Sequence, residues 1–212
     1  MDLILFGIQG SGKGTQGKIL KERYNMAYFE TGGELRRLSK ENSVLGKKIK
    51  SIIEAGRLVP NEIVMEIVEN FIKKNKKGEN IIFDGIPRKK IQANTLEKLL
   101  KKDEREFKAV ILDLSEKEAM TRLLTRRICS NCKTAYPATF KQKKCEKCGG
   151  NLETRTDDNP ESIKTRIKAY FDETMPVIEI FKNEGKLIRI DGSKSINEVS
   201  KLLFKALDPL LK

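Results

Sequence analysis

The fold of this chain is decided by its first apolar stretch, which reads Leu3-Ile4-Leu5-Phe6-Gly7-Ile8-Gln9-Gly10-Ser11-Gly12-Lys13-Gly14-Thr15. The apolar start predicts a buried strand, the glycines predict a tight turn, and the amphipathic segment from residue 16 to Tyr24 predicts a helix. Backbone N–H groups in such a turn can converge on a polyphosphate, and Lys13 and the helix dipole add positive charge. A glycine-rich turn without a ligand is the alternative, but strand, turn, lysine and helix in register favour a nucleotide phosphate. The contacts that we predict from this loop come from Gly10, Ser11, Gly12, Lys13, Gly14 and Thr15.

Length and composition limit the class of protein. The chain has 212 residues, a formal net charge of +13 and no histidine. This length suits one domain with insertions or two small domains. No apolar stretch is long enough to span a membrane, and the first residues resemble a strand, not a signal peptide, so we expect a soluble cytoplasmic protein without a membrane partner. Without histidine, acid–base or metal chemistry must use carboxylates, lysines, thiolates or the substrate itself.

The positive charge raises the alternative of nucleic-acid binding. The lysines, however, are spread over predicted helix faces instead of forming one basic arm. These positions are Lys47, Lys48, Lys50, Lys73, Lys74, Lys76, Lys77, Lys101 and Lys102. We prefer a lysine-rich, solvated surface and expect no nucleic-acid partner.

Four cysteines form two pairs with metal-ligand spacing, Cys129-x-x-Cys132 and Cys145-x-x-Cys148. In a cytosolic chain such a cluster favours a metal over disulfides, and four thiolates suit zinc. Free buried thiols or a redox pair are the alternatives. We predict a structural zinc site with all four positions filled by protein. A zinc module that binds nucleic acid and is joined to a P-loop switch remains a remote alternative for the whole chain.

Short apolar runs alternate with helical patterns along most of the chain. Strands are predicted at residues 27–30, 81–83, 109–112 and 186–190, with a helix N-cap at Thr31 and a long helix from Pro160 to about Asn183. This alternation predicts an α/β fold of the P-loop NTPase type, with a parallel sheet flanked by helices. Residues 128–159 lack helical periodicity and read as an insertion. Ligands of such sheets bind at the carboxyl ends of the strands, where Gly7 and Asp84 both lie.

Asp84 and a set of arginines suggest the chemistry. A carboxylate that ends a buried strand beside a P-loop is suited to hold magnesium on a bound nucleotide, although an N-cap role is equally possible. Phosphoryl transfer requires cations around the moving group, and arginine grips phosphate with a planar fork. The arginines at the ends of predicted elements are Arg36, Arg57, Arg88, Arg122, Arg126, Arg127, Arg155 and Arg166.

Nearly the whole chain resembles the adenylate kinase family, in its long form with a zinc-bearing lid. The resemblance rests on five features: the loop 7–15, Thr31-Gly32 with Arg36, Gly56-Arg57-Leu58-Val59, Asp84-Gly85-Ile86-Pro87-Arg88 with Gln92, and the lid with its hinges. The lid and hinge positions are Arg122, Arg126, the four cysteines, Tyr136, Arg155-Thr156-Asp157-Asp158, Arg166 and the turn Asp191-Gly192-Ser193-Lys194.

The resemblance implies reversible phosphoryl transfer from Mg-ATP to AMP, giving two ADP, without a general base. It implies a core of residues 1–29, 60–127 and 160–212, an AMP-binding part of residues 30–59, and a zinc-bearing lid of residues 128–159 that closes over the substrates. For the chemistry it implies Lys13, Asp84, Arg88, Arg122, Arg155 and Arg166. Further ATP contacts are implied for Arg122, Arg126, Ala135, Tyr136 and Lys194. AMP contacts are implied for Thr31, Gly32, Arg36, Arg57, Leu58, Val59, Gly85, Ile86, Pro87, Arg88, Gln92, Arg155 and Arg166, with Gln92 reading adenine.

Several positions depart from the family pattern. Gln9 replaces a P-loop proline, Gly33 replaces an aspartate near the magnesium waters, and Ile86 replaces an aromatic residue. These departures motivate the alternative of a nucleoside monophosphate kinase with another or a broader base preference. We further expect Mg²⁺ with ATP, structural Zn²⁺, ATP, AMP and ADP as small-molecule partners, and a monomer.

Overall fold

The computed structural model describes residues 1–76 and 78–211. Lys77 of the predicted surface lysines and Lys212 at the end of the predicted core lie outside the described residues. The strands in chain order are β1 (Asp2–Phe6), β2 (Ala27–Glu30), β3 (Ile81–Asp84), β4 (Phe107–Asp113), β5 (Arg127–Cys129), β6 (Ala135–Tyr136), β7 (Leu152–Glu153) and β8 (Leu187–Asp191). The helices are α1 (Lys13–Tyr24), α2 (Thr31–Leu38), α3 (Val44–Glu54), α4 (Asn61–Lys74), α5 (Lys90–Lys102), α6 (Glu116–Thr125), α7 (Pro160–Ala169), α8 (Met175–Asn183) and α9 (Ile196–Leu211).

A five-stranded parallel sheet with the order β2-β3-β1-β4-β8 forms the centre and confirms the predicted α/β class. Successive side chains of β1 point to opposite faces of the sheet, and both faces are covered. Ile4 packs in the larger apolar cluster, with side chains from α5, α7 and α8, whereas Leu5 packs in the smaller one, with side chains from α1 and α9. The apolar run that opens the chain is therefore buried on both sides.

The register of the sheet places the carboxyl ends of β1, β2 and β3 side by side. Leu5 of β1 is aligned with Asp84, and Asp84 is aligned with Glu30 at the end of β2. The glycine loop leaves β1 one residue beyond this line. Because parallel strands end at one edge of the sheet, the loop, Asp84 and Glu30 share that edge.

The predicted long helix from Pro160 to Asn183 is interrupted in the structure. A π-helical turn, Tyr170–Thr174, joins α7 to α8. Single π turns are often found at functional sites, and this one turns the buried side chains of Tyr170 and Thr174 toward the carboxyl edge of the sheet. Hydrophobic periodicity did not reveal this turn, because the apolar positions on either side still repeat with a helical spacing.

The predicted N-cap at Thr31 is wrong. Thr31 is the first residue of α2, Glu30 occupies the cap position, and no side chain caps the helix. Strand β2 runs directly into α2, so no loop residue remains to place Thr31 outside the helix. Its buried hydroxyl accepts and donates no hydrogen bond.

The inserted segment contains a separate, three-stranded antiparallel sheet with the order β6-β5-β7. Its core consists of Cys129, Tyr136 and Cys145, with Phe140 and Leu152 packed at the edge. A core this small supplies little hydrophobic stabilisation. The bounds of the three predicted parts of the chain stay a prediction. Within the described residues, no helix combines the length and the apolar character needed to cross a membrane.

A buried ion pair fixes the amino end of the sheet and supplies a stability test. The Asp2 carboxylate, 2% exposed, accepts hydrogen bonds from Arg105 Nε at 2.7 Å and from the Ile81 N–H at 2.8 Å. We expect Asp2→Ala to lower the free energy of unfolding by roughly 3–5 kcal/mol, because it leaves a largely buried guanidinium unpaired. Urea denaturation measures the change.

The matched control is Asp113→Ala, which breaks a pair with Arg189 whose side chains are 37% and 51% exposed. This control should lose less than about 1 kcal/mol. Equal losses in the two variants would contradict a special role for the Asp2–Arg105 pair.

Candidate phosphoryl-transfer site

The loop between β1 and α1 has the geometry of an anion cradle. Gly7, Gly10 and Gly12 have φ values of 145°, 89° and 94°, which residues with a side chain rarely adopt. A Cβ on Gly7 would lie 2.5 Å from Ser11 Oγ and 2.7 Å from the Leu112 carbonyl oxygen. The Ser11 hydroxyl is buried without a hydrogen-bond partner. The loop thus needs its glycines and holds a polar group that lacks a protein partner.

Lys13 lies at the start of α1 and folds back over this loop. Its Nζ donates to the carbonyl oxygens of Gly7 at 2.6 Å and Ile8 at 3.2 Å. Burial of the ammonium lowers the pKa of Lys13 to about 8, although the Asp84 carboxylate opposes the shift. No carboxylate among the described residues lies within ion-pair distance of it. The charge of Lys13 is therefore available to an incoming anion.

Arg88 faces the same small cavity as Lys13, from the loop that follows β3. Its Nε donates to the Gly85 carbonyl oxygen at 3.0 Å, and its own carbonyl accepts from Thr174 Oγ1 at 3.2 Å. Gly85 has a φ of 81°, and a Cβ there would come within 3.3 Å of Arg88 Nη2. Burial lowers the pKa of Arg88, which has no carboxylate at ion-pair distance within the described part of the chain.

Asp84 ends β3 beside the first turn of α1. Its Oδ2 accepts a hydrogen bond from the Tyr28 hydroxyl at 2.7 Å and lies 3.7 Å from a Cβ built on Gly14. Burial raises the pKa of Asp84, while Lys13 and the Tyr28 hydrogen bond lower it. A carboxylate oxygen next to the phosphate loop fits the all-oxygen coordination of Mg²⁺. The structure therefore fits the predicted magnesium role and gives no support to an N-cap role, since Lys89 occupies the cap position of α5.

A second group of cations consists of arginines at the two ends of the inserted segment, and each of them forms an ion pair with an aspartate. Asp158 accepts from Arg126 and from Arg166 Nη2, at 2.7 Å and 2.8 Å, with its own side chain fully buried. Asp157 accepts from Arg155 and Arg166. Burial opposes the ionised form of Asp157, but the hydrogen bond from Arg155 and the charges of Arg155 and Arg166 act together against it, so the pKa of Asp157 is lowered. Asp157 and Asp158 therefore join arginines that precede and follow the inserted segment in sequence, and the link between lid and core in a closed state stays a prediction.

Two predicted donor-side residues lie apart from this arginine cluster. Arg122 donates to the carbonyl oxygens of Gly192 at 3.0 Å and Ser193 at 2.9 Å and pairs with Glu118. Lys194 is 49% exposed and lies 3.7 Å from Asp191 Oδ2. The role of Arg122 around the moving phosphoryl group therefore stays a prediction. Arg126, which ends α6 with an extended backbone, joins the cluster instead.

On the acceptor side, β2 and α2 place Thr31 and Arg36 beside the Arg88 loop. The Thr31 side chain lies 3.8 Å from a Cβ built on Gly85, and Arg36 Nη2 donates to Glu30 Oε1 at 2.7 Å. Other predicted residues contribute walls: Ile86, Pro87 and Val59 are buried, Leu58 is half-buried and Arg57 is exposed.

Gln92, which the family resemblance makes the reader of adenine, already has partners for its amide. Its Oε1 accepts from the Arg88 N–H at 2.7 Å, and its Nε2 donates to Asn61 Oδ1 at 3.0 Å. The side chain is 3% exposed. In this conformation Gln92 therefore supports the Arg88 loop, and base reading by its amide requires an exchange of partners.

The four cysteines converge as predicted. Their sulfurs lie within 4.8 Å of one another, with Cys129–Cys148 and Cys132–Cys145 at 3.5 Å, and all four are free thiols. Four bonds of about 2.3 Å in a tetrahedron place sulfurs about 3.8 Å apart, so the cluster fits zinc.

The side chain of Tyr136 is already engaged inside the lid. It is buried, stacks on Phe140 and lies 3.0 Å from Cys145 Sγ. Packing in the small lid core occupies the ring in this conformation, and the ATP contact expected for Tyr136 stays a prediction. Ala135 next to it is exposed.

The sequence analysis missed four residues of the site. Tyr28 holds Asp84, Glu30 pairs with Arg36, and Tyr170 and Thr174 line the cavity of Lys13 and Arg88. Tyr28 and Glu30 are two residues apart in β2, so their side chains lie on the same face of the sheet. This period-two pattern is a signal that the sequence itself contains. The π turn that carries Tyr170 and Thr174 had none, because it depends on tertiary packing.

Comparisons with known proteins agree with this geometry. The family model for adenylate kinase matches residues 5–186. Adenylate kinase of Staphylococcus epidermidis is 37% identical, covering 99% of this chain and 100% of that protein, and that of Kosmotoga olearia is 40% identical with the same coverage. Adenylate kinase of Alkaliphilus oremlandii is 40% identical over 94% of both chains. The phosphate loop, the arginines and these matches over nearly the full length together mean that the chain belongs to the adenylate kinase family.

Proposed function

We propose that this protein is an ATP:AMP phosphotransferase, which transfers the γ-phosphoryl group of Mg-ATP to AMP and yields two ADP. The observation that carries the proposal is the pair Lys13 and Arg88, two cations from different loops that line one cavity without a carboxylate at ion-pair distance in the described chain. Two cations that line one cavity and have no carboxylate partner among the described residues suit the meeting point of two phosphate chains.

In the reaction, an oxygen of the AMP phosphate attacks the γ-phosphorus of ATP. A new P–O bond forms as the bond to the β,γ-bridging oxygen breaks, and ADP leaves with that electron pair. The acceptor oxygen is already anionic, so no side chain has to remove a proton, which agrees with a chain that has no histidine. Lys13 holds the donor phosphates and Arg88 holds the phosphoryl group between donor and acceptor.

The hinge arginines act once nucleotides are present. Arg126, Arg155 and Arg166 are held by Asp157 and Asp158 in this conformation, which restricts the orientation of their guanidinium groups. Phosphate oxygens then share these groups with the aspartates and add charge-assisted hydrogen bonds. The rim made by Arg122 and the turn 191–194 contributes to the donor side, with Arg57 and the walls at Leu58 and Val59 on the acceptor side.

Magnesium and closure complete the site. Asp84 would hold Mg²⁺, directly or through water, and the ion neutralises charge on the donor phosphates when it is bound. Closure of the lid excludes water that would otherwise accept the phosphoryl group. Zinc at the four cysteines would maintain the shape of the lid, whose own apolar core is small.

A second candidate is a nucleoside monophosphate kinase with a broader base preference. The occupied amide of Gln92 favours it, because the Oε1 and Nε2 atoms that would read adenine already bond to the Arg88 N–H and to Asn61 Oδ1. Both candidates share the phosphate chemistry and differ only in the acceptor base.

Initial rates with AMP, CMP, UMP and GMP at saturating Mg-ATP separate the two candidates. We expect the highest kcat/KM with AMP, and a clearly higher value with another acceptor would replace the AMP assignment.

Arg88→Ala should lower kcat by about 10²–10³, because one preorganised cation is lost from the transition state. The matched control Arg189→Ala removes a 51% exposed arginine and should keep the wild-type rate.

The pKa of Lys13 predicts a pH dependence. Since burial lowers it to about 8, free enzyme loses the ammonium as the pH rises through that value, and kcat/KM for Mg-ATP should fall between pH 8 and pH 10. Lys13→Arg keeps a charge at these pH values, so its lower activity should be flat over the same range. An identical alkaline decline in Lys13→Arg would mean that a different group titrates.

Zinc binding is tested on the purified protein. Metal analysis should find about one zinc per chain, and a strong chelator should lower the melting temperature. Cys132→Ser should bind less zinc and melt at a lower temperature, whereas Ser130→Ala, which changes a neighbouring residue that is not a ligand, should match the wild type. Protein without zinc and with unchanged melting would disprove the metal site.

A further inference from the structure

Glu30 is an acidic residue at the phosphate edge that the proposed reaction does not use. It ends β2 directly beside Asp84 of β3 and precedes the first residue of α2. Its side chain is 36% exposed, and its only ion pair among the described residues is with Arg36, at 2.7 Å. A carboxylate at an edge built to bind phosphate opposes that function, so its presence needs an explanation.

The first turn of α2 is shaped around this ion pair. A Cβ on Gly32 would lie 2.9 Å from Arg36 Nη1, and a Cβ on Gly33 would lie 3.4 Å from Glu30 Oε2. The Arg36 guanidinium therefore lies against Gly32, where a side chain would crowd it. The Glu30 carboxylate lies within van der Waals reach of Gly33.

Arg36 lies in a positive environment that Glu30 offsets. Burial and the charge of Arg155 lower the pKa of Arg36, whereas Glu30 and Asp157 raise it. Arg36 also faces Arg88 closely enough to lower the pKa of that group. A phosphate that replaced Glu30 on Arg36 would carry more negative charge than one carboxylate.

We propose that Glu30 is an internal counter-ion that occupies Arg36 in the free enzyme and is displaced by the phosphate of the acceptor nucleotide. The proposal rests on the proposed function, since it takes a nucleoside monophosphate as the acceptor. Displacement is feasible because both side chains are about one-third exposed, so Glu30 can turn to water when phosphate takes Arg36. Glu30 thereby weakens acceptor binding and leaves donor binding unchanged, and it acts as an affinity-determining residue, not as a catalytic one.

The test compares Glu30→Gln with the wild type in steady-state kinetics and in calorimetric titration with AMP. The amide keeps the shape of the side chain and removes its charge. We expect the KM and the Kd for AMP to fall about fivefold, the upper range for a partly exposed ion pair, with kcat and the KM for ATP unchanged. AMP should also raise the melting temperature of the variant by more than it raises that of the wild type.

The matched control is Glu34→Gln, which removes the carboxylate of a neighbouring glutamate whose partner, Arg37, is 62% exposed on the outer side of α2. It should leave the KM for AMP unchanged. In an Arg36→Ala background, Glu30→Gln should no longer lower the KM for AMP. A persistent effect there would mean that Glu30 acts through the general field of the site, which would overturn the specific exchange on Arg36.

Other outcomes also decide the matter. If the wild type makes ADP from AMP and Glu30→Gln leaves the KM for AMP unchanged or raises it, Glu30 positions Arg36 and the counter-ion proposal is wrong while the proposed function stands. If the wild type neither binds AMP nor makes ADP from it, the proposed function itself fails.

Discussion

Concentration of positive charge at the carboxyl edge of one parallel sheet is the constraint on which the rest of this structure depends. Cations that lie close together repel, and removal from water adds to the cost. The protein meets this cost with carboxylates: Asp157 and Asp158 hold the hinge arginines, and Glu30 holds Arg36. Lys13 and Arg88 have no such partner among the residues that the structure describes. These two positions are the ones at which we propose that phosphate binds in the reaction.

The parallel sheet makes this concentration possible. Strands that run in one direction end at one edge, so the glycine loop after β1, Asp84 at the end of β3 and Glu30 at the end of β2 meet although they are far apart in sequence. The π turn adds a contribution from a helix, because Thr174 Oγ1 donates to the Arg88 carbonyl oxygen. Arg166 lies in α7, just before the π turn, and Thr174 in that turn contacts the loop that carries Arg88.

The lid solves a different physical problem. Its three short strands bury only a few apolar side chains, and Tyr136 uses its ring and hydroxyl within that core. Four sulfurs at a spacing that suits tetrahedral coordination can bind a metal ion. Metal binding would stabilise a unit for which hydrophobic burial alone is insufficient. The aspartates that orient Arg155 and Arg126 follow directly after this unit, so the shape of the lid and the direction of the hinge arginines are linked.

Local sequence was enough to predict the α/β class, the glycine loop, the strand that ends at Asp84 and the clustering of the four cysteines. Each of these features depends on periodicity or on short spacings in the sequence. It was wrong about the N-cap at Thr31, and it did not reveal the partners that the Tyr136 ring and the Gln92 amide have in this conformation. Nor did it reveal that Arg126 and not Arg122 joins the cluster, or that Glu30 and Tyr28 face the site. Those assignments depend on which side chains meet across strands, hinges and a π turn, and periodicity within one segment does not specify its long-range partners.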